Sequence, residues 1–132
     1  MELSPKLILA IALQYVASAD GNIDEDETTH LISIMHSDSK IIMQADKYIR
    51  YAIRDNITFD DFLDEGNKKL SYTQKECIIL NMIDMMLVNN VVDVYEEKLI
   101  KHVVKKFDID MQKYQVYKEL MIKKNDVSVF ED

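Results

Sequence analysis

The feature that most constrains the fold is an acidic phrase that follows a long apolar run and occurs twice. Its two copies are DGNIDEDE at residues 20–27 and NNVVDVYE at residues 89–96. In this alignment Asp24 matches Asp93 and Glu27 matches Glu96, and the apolar spacing on both sides also matches. The pattern predicts an apolar helix, a tight turn and a capped second helix, used once in each half of the chain.

Residues that break helices are scarce in this sequence. The 132 residues include two glycines and one proline, whereas sheet proteins need many turns and the residues that form them. The length is near that of one domain with its own core. We therefore predict an all-α fold and a single domain over residues 1–132.

The helix starts carry recognisable capping signals. Ser4 precedes Pro5, which places a good N-cap before a proline at the first helical position. Four capping boxes are predicted at Asp24…Glu27, Thr58…Asp61, Ser71…Gln74 and Asp93…Glu96. Together with the apolar spacing they predict seven helices, near 5–19, 25–36, 40–54, 59–68, 72–88, 94–107 and 111–123. We expect one bundle built from two pseudo-symmetric repeats, about 5–36 and 72–107.

The helices predicted at 5–19 and 72–88 are apolar almost all round. A helix without a wide polar face must be enclosed by others, so we expect this pair at the centre of the bundle. Met82, Met85 and Met86 are interpreted as core residues, and Cys77 as a buried, unreactive thiol. Asp84 must reach solvent, a hydrogen-bond donor or a cation, and an exposed edge is the simplest of these.

Charge and cysteine content narrow the range of binding partners and cellular compartments. The formal net charge is −8 and the pI is near 4.8, which disfavours direct binding to nucleic acid. A single cysteine excludes an intrachain disulfide and favours the reducing cytoplasm. The apolar run from Leu7 to Val16 is interpreted as a core helix rather than a signal peptide, and we expect no direct membrane insertion.

The acidic turns raise the hypothesis of a cation site. Capping explains the carboxylates at Asp24, Glu27, Asp93 and Glu96. It does not explain Asp20, which ends the preceding helix, where the dipole disfavours negative charge, before a left-handed cap at Gly21. Oxygen ligands from Asp20, Asp24 and Glu27 would suit Ca²⁺ or Mg²⁺, although the spacing is not that of an EF-hand. If the two halves meet, Asp93 and Glu96 would join one shared site.

An Asp-Gly-x-Ile-Asp-x-x-Glu motif after an apolar helix, with a degenerate second copy, resembles the TerB-like domain of tellurite-resistance proteins. The same domain type occurs at the N-terminus of a membrane-anchored DnaJ-type co-chaperone. The resemblance covers Leu7 to about Tyr114 and implies an all-helical, internally duplicated fold. It places Asp20, Asp24 and Glu27 on the family's first acidic motif, and Asp93 and Glu96 on its second. It implies a metal-linked stress-response or protein-interaction module, and the departure at Asn89-Asn90 implies a weaker second half.

Sequence patterns of catalytic sites are missing. His30, His36 and His102 lack metalloprotease spacing, Gly21 and Gly66 stand alone, and no serine lies in a nucleophile elbow. We therefore expect a non-enzymatic binding or scaffolding module with a divalent cation and an unidentified protein partner. Two alternatives are a metal-free interaction domain and an enzyme that uses the acidic cluster with a metal.

Overall fold

The computed structural model describes residues 2–19, 21, 23–88 and 92–131. In these residues the chain forms seven α-helices and one short 3-10 helix, with no strand, which confirms the all-α prediction. The helices are α1 (Pro5–Ala17), α2 (Glu25–Ile34), α3 (Ser39–Arg54), α4 (Phe59–Lys69), α5 (Tyr72–Met86), α6 (Val94–Lys106), α7 (Met111–Asn125) and the 3-10 helix (Val127–Phe130). Every predicted α-helix end lies within two residues of the observed one.

The apolar helix α1 lies at the centre of the bundle. It packs against α2, α3, α4, α5 and α6, and Ile8, Ile11 and Leu13 are fully buried. Burial of each such side chain stabilises the fold by roughly 1.5–3 kcal/mol. Because α1 has no wide polar face, this enclosure is what its sequence requires. α5 packs against α1, as predicted, and also against α2, α6 and α7.

The predicted helix starts are confirmed. Both reciprocal bonds of a capping box are present for Asp24 with Glu27, Thr58 with Asp61, and Ser71 with Gln74. At α6, Asp93 Oδ1 accepts a hydrogen bond from Glu96 N at 2.9 Å. These caps place Glu27 in the first turn of α2 and Glu96 in the first turn of α6. The equivalence of residues 5–36 and 72–107 as repeats stays a prediction.

The three methionines of α5 are buried, but the prediction of a buried Cys77 is wrong. Cys77 is exposed, because it lies on the same narrow stripe of α5 as Asn81 and Asp84, where the neighbouring helices do not cover α5 completely. Asn81 Nδ2 donates a hydrogen bond to the carbonyl oxygen of Cys77 along this stripe. No helix of the described residues is long and apolar enough to cross a membrane.

Candidate cation site

The fold brings the first turns of α2 and α6 together. Glu27 and Glu96, which occupy matching positions in the two acidic phrases, are 5% and 6% exposed. Their side chains interact with one another across the two helix starts. Two acidic residues that are 69 positions apart in the chain, at 27 and 96, are thus neighbours in a buried place. The sequence predicted one shared site only if the two halves meet, and the two turns do meet here.

The carboxylate of Glu27 is only half satisfied by the protein. Its Oε1 accepts a hydrogen bond from Asp24 N at 3.4 Å, which is the weaker half of the capping box, while Glu27 N donates to Asp24 Oδ1 at 2.8 Å. Its Oε2 is buried and has no hydrogen-bond partner among the described residues. Buried polar atoms in folded proteins are almost always paired. This oxygen therefore marks a position that calls for a proton donor or a cation.

The electrostatics of Glu27 agree with its geometry. Burial raises the pKa of the Glu27 carboxyl, and the charge of nearby Asp24 raises it further. Hydrogen bonding to the Asp24 backbone and with the Glu96 side chain offsets part of this rise in the pKa. A carboxylate that is held among other acids and away from water is stabilised in its charged form by a cation.

Two of the remaining predicted ligands, Asp24 and Asp93, are helix caps. Asp24 and Asp93 each use a carboxylate oxygen to cap a helix, as predicted. Gly21 has φ +94°, which confirms the predicted left-handed conformation after the first apolar helix. Asp20, like Asn89 and Asn90 of the second turn, lies outside the described residues.

The donor atoms of Glu27 and Glu96 are carboxylate oxygens. Carboxylate oxygens are the ligands that Ca²⁺ and Mg²⁺ prefer, and the buried Glu27 Oε2 provides one such oxygen without a competing partner. Within the described ranges, no three His, Cys, Asp or Glu side chains are placed together as a group that could hold a metal ion. A cation beside Glu27 and Glu96 would therefore need further oxygens, from Asp20 or from carbonyl groups of the turns.

A hydrogen bond between His30 and Asp84, next to this site, was not foreseen from the sequence. His30 Nε2 lies 2.8 Å from Asp84 Oδ2, so the acid in the apolar helix α5 has found a hydrogen-bond donor on α2. Both residues line a cavity of about 510 Å³, together with Asp26, Thr29 and Ser33. The sequence does indicate that Asp84 needs a partner, since an acid inside an apolar helix must be hydrogen-bonded, paired or hydrated. The sequence did not identify that partner as His30.

Comparison with known protein families shows which family the chain belongs to. A family profile described as "Tellurite resistance protein TerB" matches residues 6–119. This chain belongs to the TerB family. The TerB match runs from α1 into α7 and includes both acidic turns, so the resemblance stated from the sequence is confirmed. Comparisons with curated proteins and with solved structures gave no match.

Proposed function

We propose that this TerB-family chain is a non-catalytic binding module that holds a divalent cation, Ca²⁺ or Mg²⁺, between its two acidic turns. The observation that carries the proposal is the buried Glu27 Oε2, which has no partner in the described part of the chain and lies beside the buried Glu96. Capping accounts for Asp24, Asp93 and one oxygen of Glu27. It leaves Glu27 Oε2 unexplained.

The energetic argument follows from burial. An ionised carboxylate that loses its water without gaining a partner destabilises a fold by several kcal/mol, and a second acid nearby adds repulsion. An apolar residue at position 27 would avoid both effects. A bound cation offsets them, because it supplies the partner that Glu27 Oε2 lacks. The arrangement is therefore better suited to binding an ion than to stabilising the fold alone.

We assign the five acids to two roles within the proposed site. Glu27 and Glu96 supply carboxylate oxygens from the buried side, and Asp20 supplies one from the first turn. Asp24 and Asp93 add negative charge and fix the turns through their caps. Asn89 and Asn90 stand where the first copy has Asp20 and Gly21, so the first turn contributes more charge than the second.

A cation in this position would link the start of α2 to the start of α6. The chain would then present a metal-dependent surface to a protein partner in the cytoplasm. The setting would be a stress response related to the tellurite resistance for which the family is named. No residue is assigned a catalytic role. A metal-free interaction domain remains the alternative, and it predicts partner binding that does not change when the acids are neutralised.

Calorimetry tests the proposed site directly. Metal-stripped protein would be titrated with Ca²⁺, Mg²⁺, Mn²⁺ and Zn²⁺ at fixed ionic strength, as wild type and as Asp20→Asn, Glu27→Gln and Glu96→Gln. The matched control is Glu25→Gln, which removes the same charge from an exposed position in the same turn. We expect saturable binding of Ca²⁺ or Mg²⁺ by the wild type and the control, and its loss in the three site variants.

Two results would contradict the proposal. Absence of binding to the wild type would leave the acids as caps and surface charge. Equal weakening in Glu25→Gln and Glu27→Gln would show that ions respond to the overall acidity of the turn. Circular dichroism of each variant would show that a lost signal does not come from an unfolded chain.

A further inference from the structure

An apolar groove lies between α2 and α3, on a part of the surface to which the proposed cation site assigns no role. It has a volume of about 770 Å³ and is lined mainly by carbon atoms. Its apolar lining comes from Ile23, Leu31, Ile42 and Met43, of which Met43 is 70% exposed. An exposed methionine in a groove provides an adaptable contact for an apolar partner.

The rim of this groove is positively charged, although the chain as a whole is strongly acidic. Lys40, Lys47 and Arg50 line it, against a single acid, Asp46, which pairs with Arg50 at 2.7 Å. The formal net charge of the chain is −8. Complementary potentials favour a particular partner across an interface, so the groove suits a segment that is both apolar and acidic.

The chain itself contains a segment of this kind. The 3-10 helix Val127–Phe130 exposes Val127, Val129 and Phe130 by 64%, 72% and 86%. Asp126 and Glu131 flank it, and Asp126 Oδ1 accepts a hydrogen bond from Ser128 N at 3.1 Å, which fixes the start of the turn. We refer to residues 126–131 as the acidic–apolar segment.

The segment lies elsewhere in its own molecule. Asp126, Val127 and Glu131 line a depression with Leu87 and Val92, and none of these residues lines the groove between α2 and α3. Its valines and phenylalanine therefore stay exposed, as does Met43 in the groove. Each molecule thus exposes two apolar surfaces, the groove with its basic rim and the segment with its acidic flanks. The groove of one molecule is accessible to the segment of another.

We propose that the acidic–apolar segment of one copy docks in the α2–α3 groove of a second copy. Phe130 and Val129 contact Met43 and Ile42, while Glu131 and Asp126 face Lys47 and Lys40. A six-residue segment buries less area than a stable interface of about 1,200–2,000 Å² requires. Reciprocal exchange about a two-fold axis doubles the contact, and the second docking event is then intramolecular. This inference does not depend on cation binding.

Sedimentation velocity of the full chain tests this association, from about 10 μM to about 1 mM, a range that covers weak reciprocal contacts. We expect a concentration-dependent dimer at low salt that weakens as the ionic strength rises. Phe130→Ser and Met43→Glu should each weaken it by about tenfold or more, because each removes a central apolar contact. Ile53→Ser is the matched control, since Ile53 is 75% exposed on α3 but does not line the groove.

A charge exchange gives a second, sharper test. Lys47→Glu and Glu131→Lys should each weaken the dimer, and the chain that carries both changes should recover it, because the two positions face each other in the reciprocal contact. A synthetic peptide of residues 124–132, followed by amide NMR shifts, should perturb residues of α2 and α3 around the groove.

Three results would overturn the proposal. The first is a monomer at every concentration. The second is a dimer that both Phe130→Ser and Met43→Glu leave intact. The third is peptide-induced shifts that fall outside the groove.

Discussion

His30 Nε2 and Asp84 Oδ2 are 2.8 Å apart, and this pair joins α2 to the core helix α5. The two side chains are 30% and 21% exposed, so water screens the contact only in part. α2 is the helix that carries Glu27 in its first turn. The pair therefore holds the helix of the candidate cation site against the centre of the bundle.

Neutral replacements of this pair should destabilise the fold moderately. We expect His30→Gln and Asp84→Asn each to lower the free energy of unfolding by about 1 kcal/mol, the usual contribution of a partly buried polar contact. Urea denaturation would measure it. The double variant should lose little more than either single one, because the same contact is removed. Fully additive losses would show that the two residues act separately.

Neutralising Glu27 should stabilise the metal-free protein. Glu27→Gln keeps the shape and the oxygen that accepts from Asp24 N, but removes a buried charge beside Asp24 and Glu96. We expect a gain of about 1 kcal/mol in the presence of a chelator, measured by urea denaturation. Added Ca²⁺ or Mg²⁺ should stabilise the wild type and leave the variant unchanged.

Glu97 provides the matched control for that experiment. It is the neighbour of Glu96, but Tyr114 Oη donates to its Oε2 at 2.8 Å and Lys118 forms an ion pair with the same oxygen. Glu97→Gln should therefore destabilise the protein, with or without a metal ion. Equal effects at positions 27 and 97 would contradict the distinction between an unpartnered and a satisfied acid.

Glu97 should also contribute to acid sensitivity. Burial opposes its ionisation, but the hydrogen bonds from Lys118 and Tyr114 together outweigh burial and hold the pKa of Glu97 below its ordinary 4.5. The unfolded chain then binds a proton more readily than the folded one. The stabilisation is present above about pH 4.5 and is lost as the pH falls through the lowered pKa.

Thermal unfolding between pH 3 and pH 7 would measure this dependence, expected over roughly the range in which carboxylates titrate. The decline in stability towards acid should be shallower in Glu97→Gln than in the wild type. Identical slopes would show that Glu97 has the same proton affinity in the folded and unfolded chains.

The two glycines should respond in opposite directions to alanine. Gly66 lies inside α4, and an added Cβ would meet Leu70, Phe107 and Ile8 at 3.6–3.8 Å, which is ordinary van der Waals contact. Gly66→Ala should raise the stability by about 0.5–1 kcal/mol, because alanine favours the helix. Gly21→Ala should lower it by about 1 kcal/mol, since φ is +94° there. Thermal unfolding would compare the two variants.

The helical architecture could be predicted because it depends on local signals. Caps such as Asp24 and Ser71 start their helices where the sequence places them, and the apolar helices α1 and α5 are paired because neither has a wide polar face. These signals need no knowledge of distant contacts. Cys77 was misjudged because the apolar composition of α5 hides a narrow stripe that its neighbours leave uncovered.

The details of the site could be predicted less well, because they depend on tertiary contacts. The matching positions of Glu27 and Glu96 in the two acidic phrases predicted that both could belong to one site. Their burial and the unpartnered Oε2 follow from how α2 and α6 meet. In the same way, the partner of Asp84 comes from another helix, 54 positions away in the chain. The role of Asp20 stays a prediction, since this residue lies outside the described part of the chain.

The enclosed position of α1 has a consequence for synthesis on the ribosome. α1 is made before α5, which packs against it and begins at Tyr72. During translation the nascent chain carries an apolar helix, with Ile8, Ile11 and Leu13, before all the helices that cover it exist. Such exposed surfaces are where incomplete chains aggregate and where chaperones bind. The side of α1 that packs against α5 is therefore exposed until α5 has left the exit tunnel.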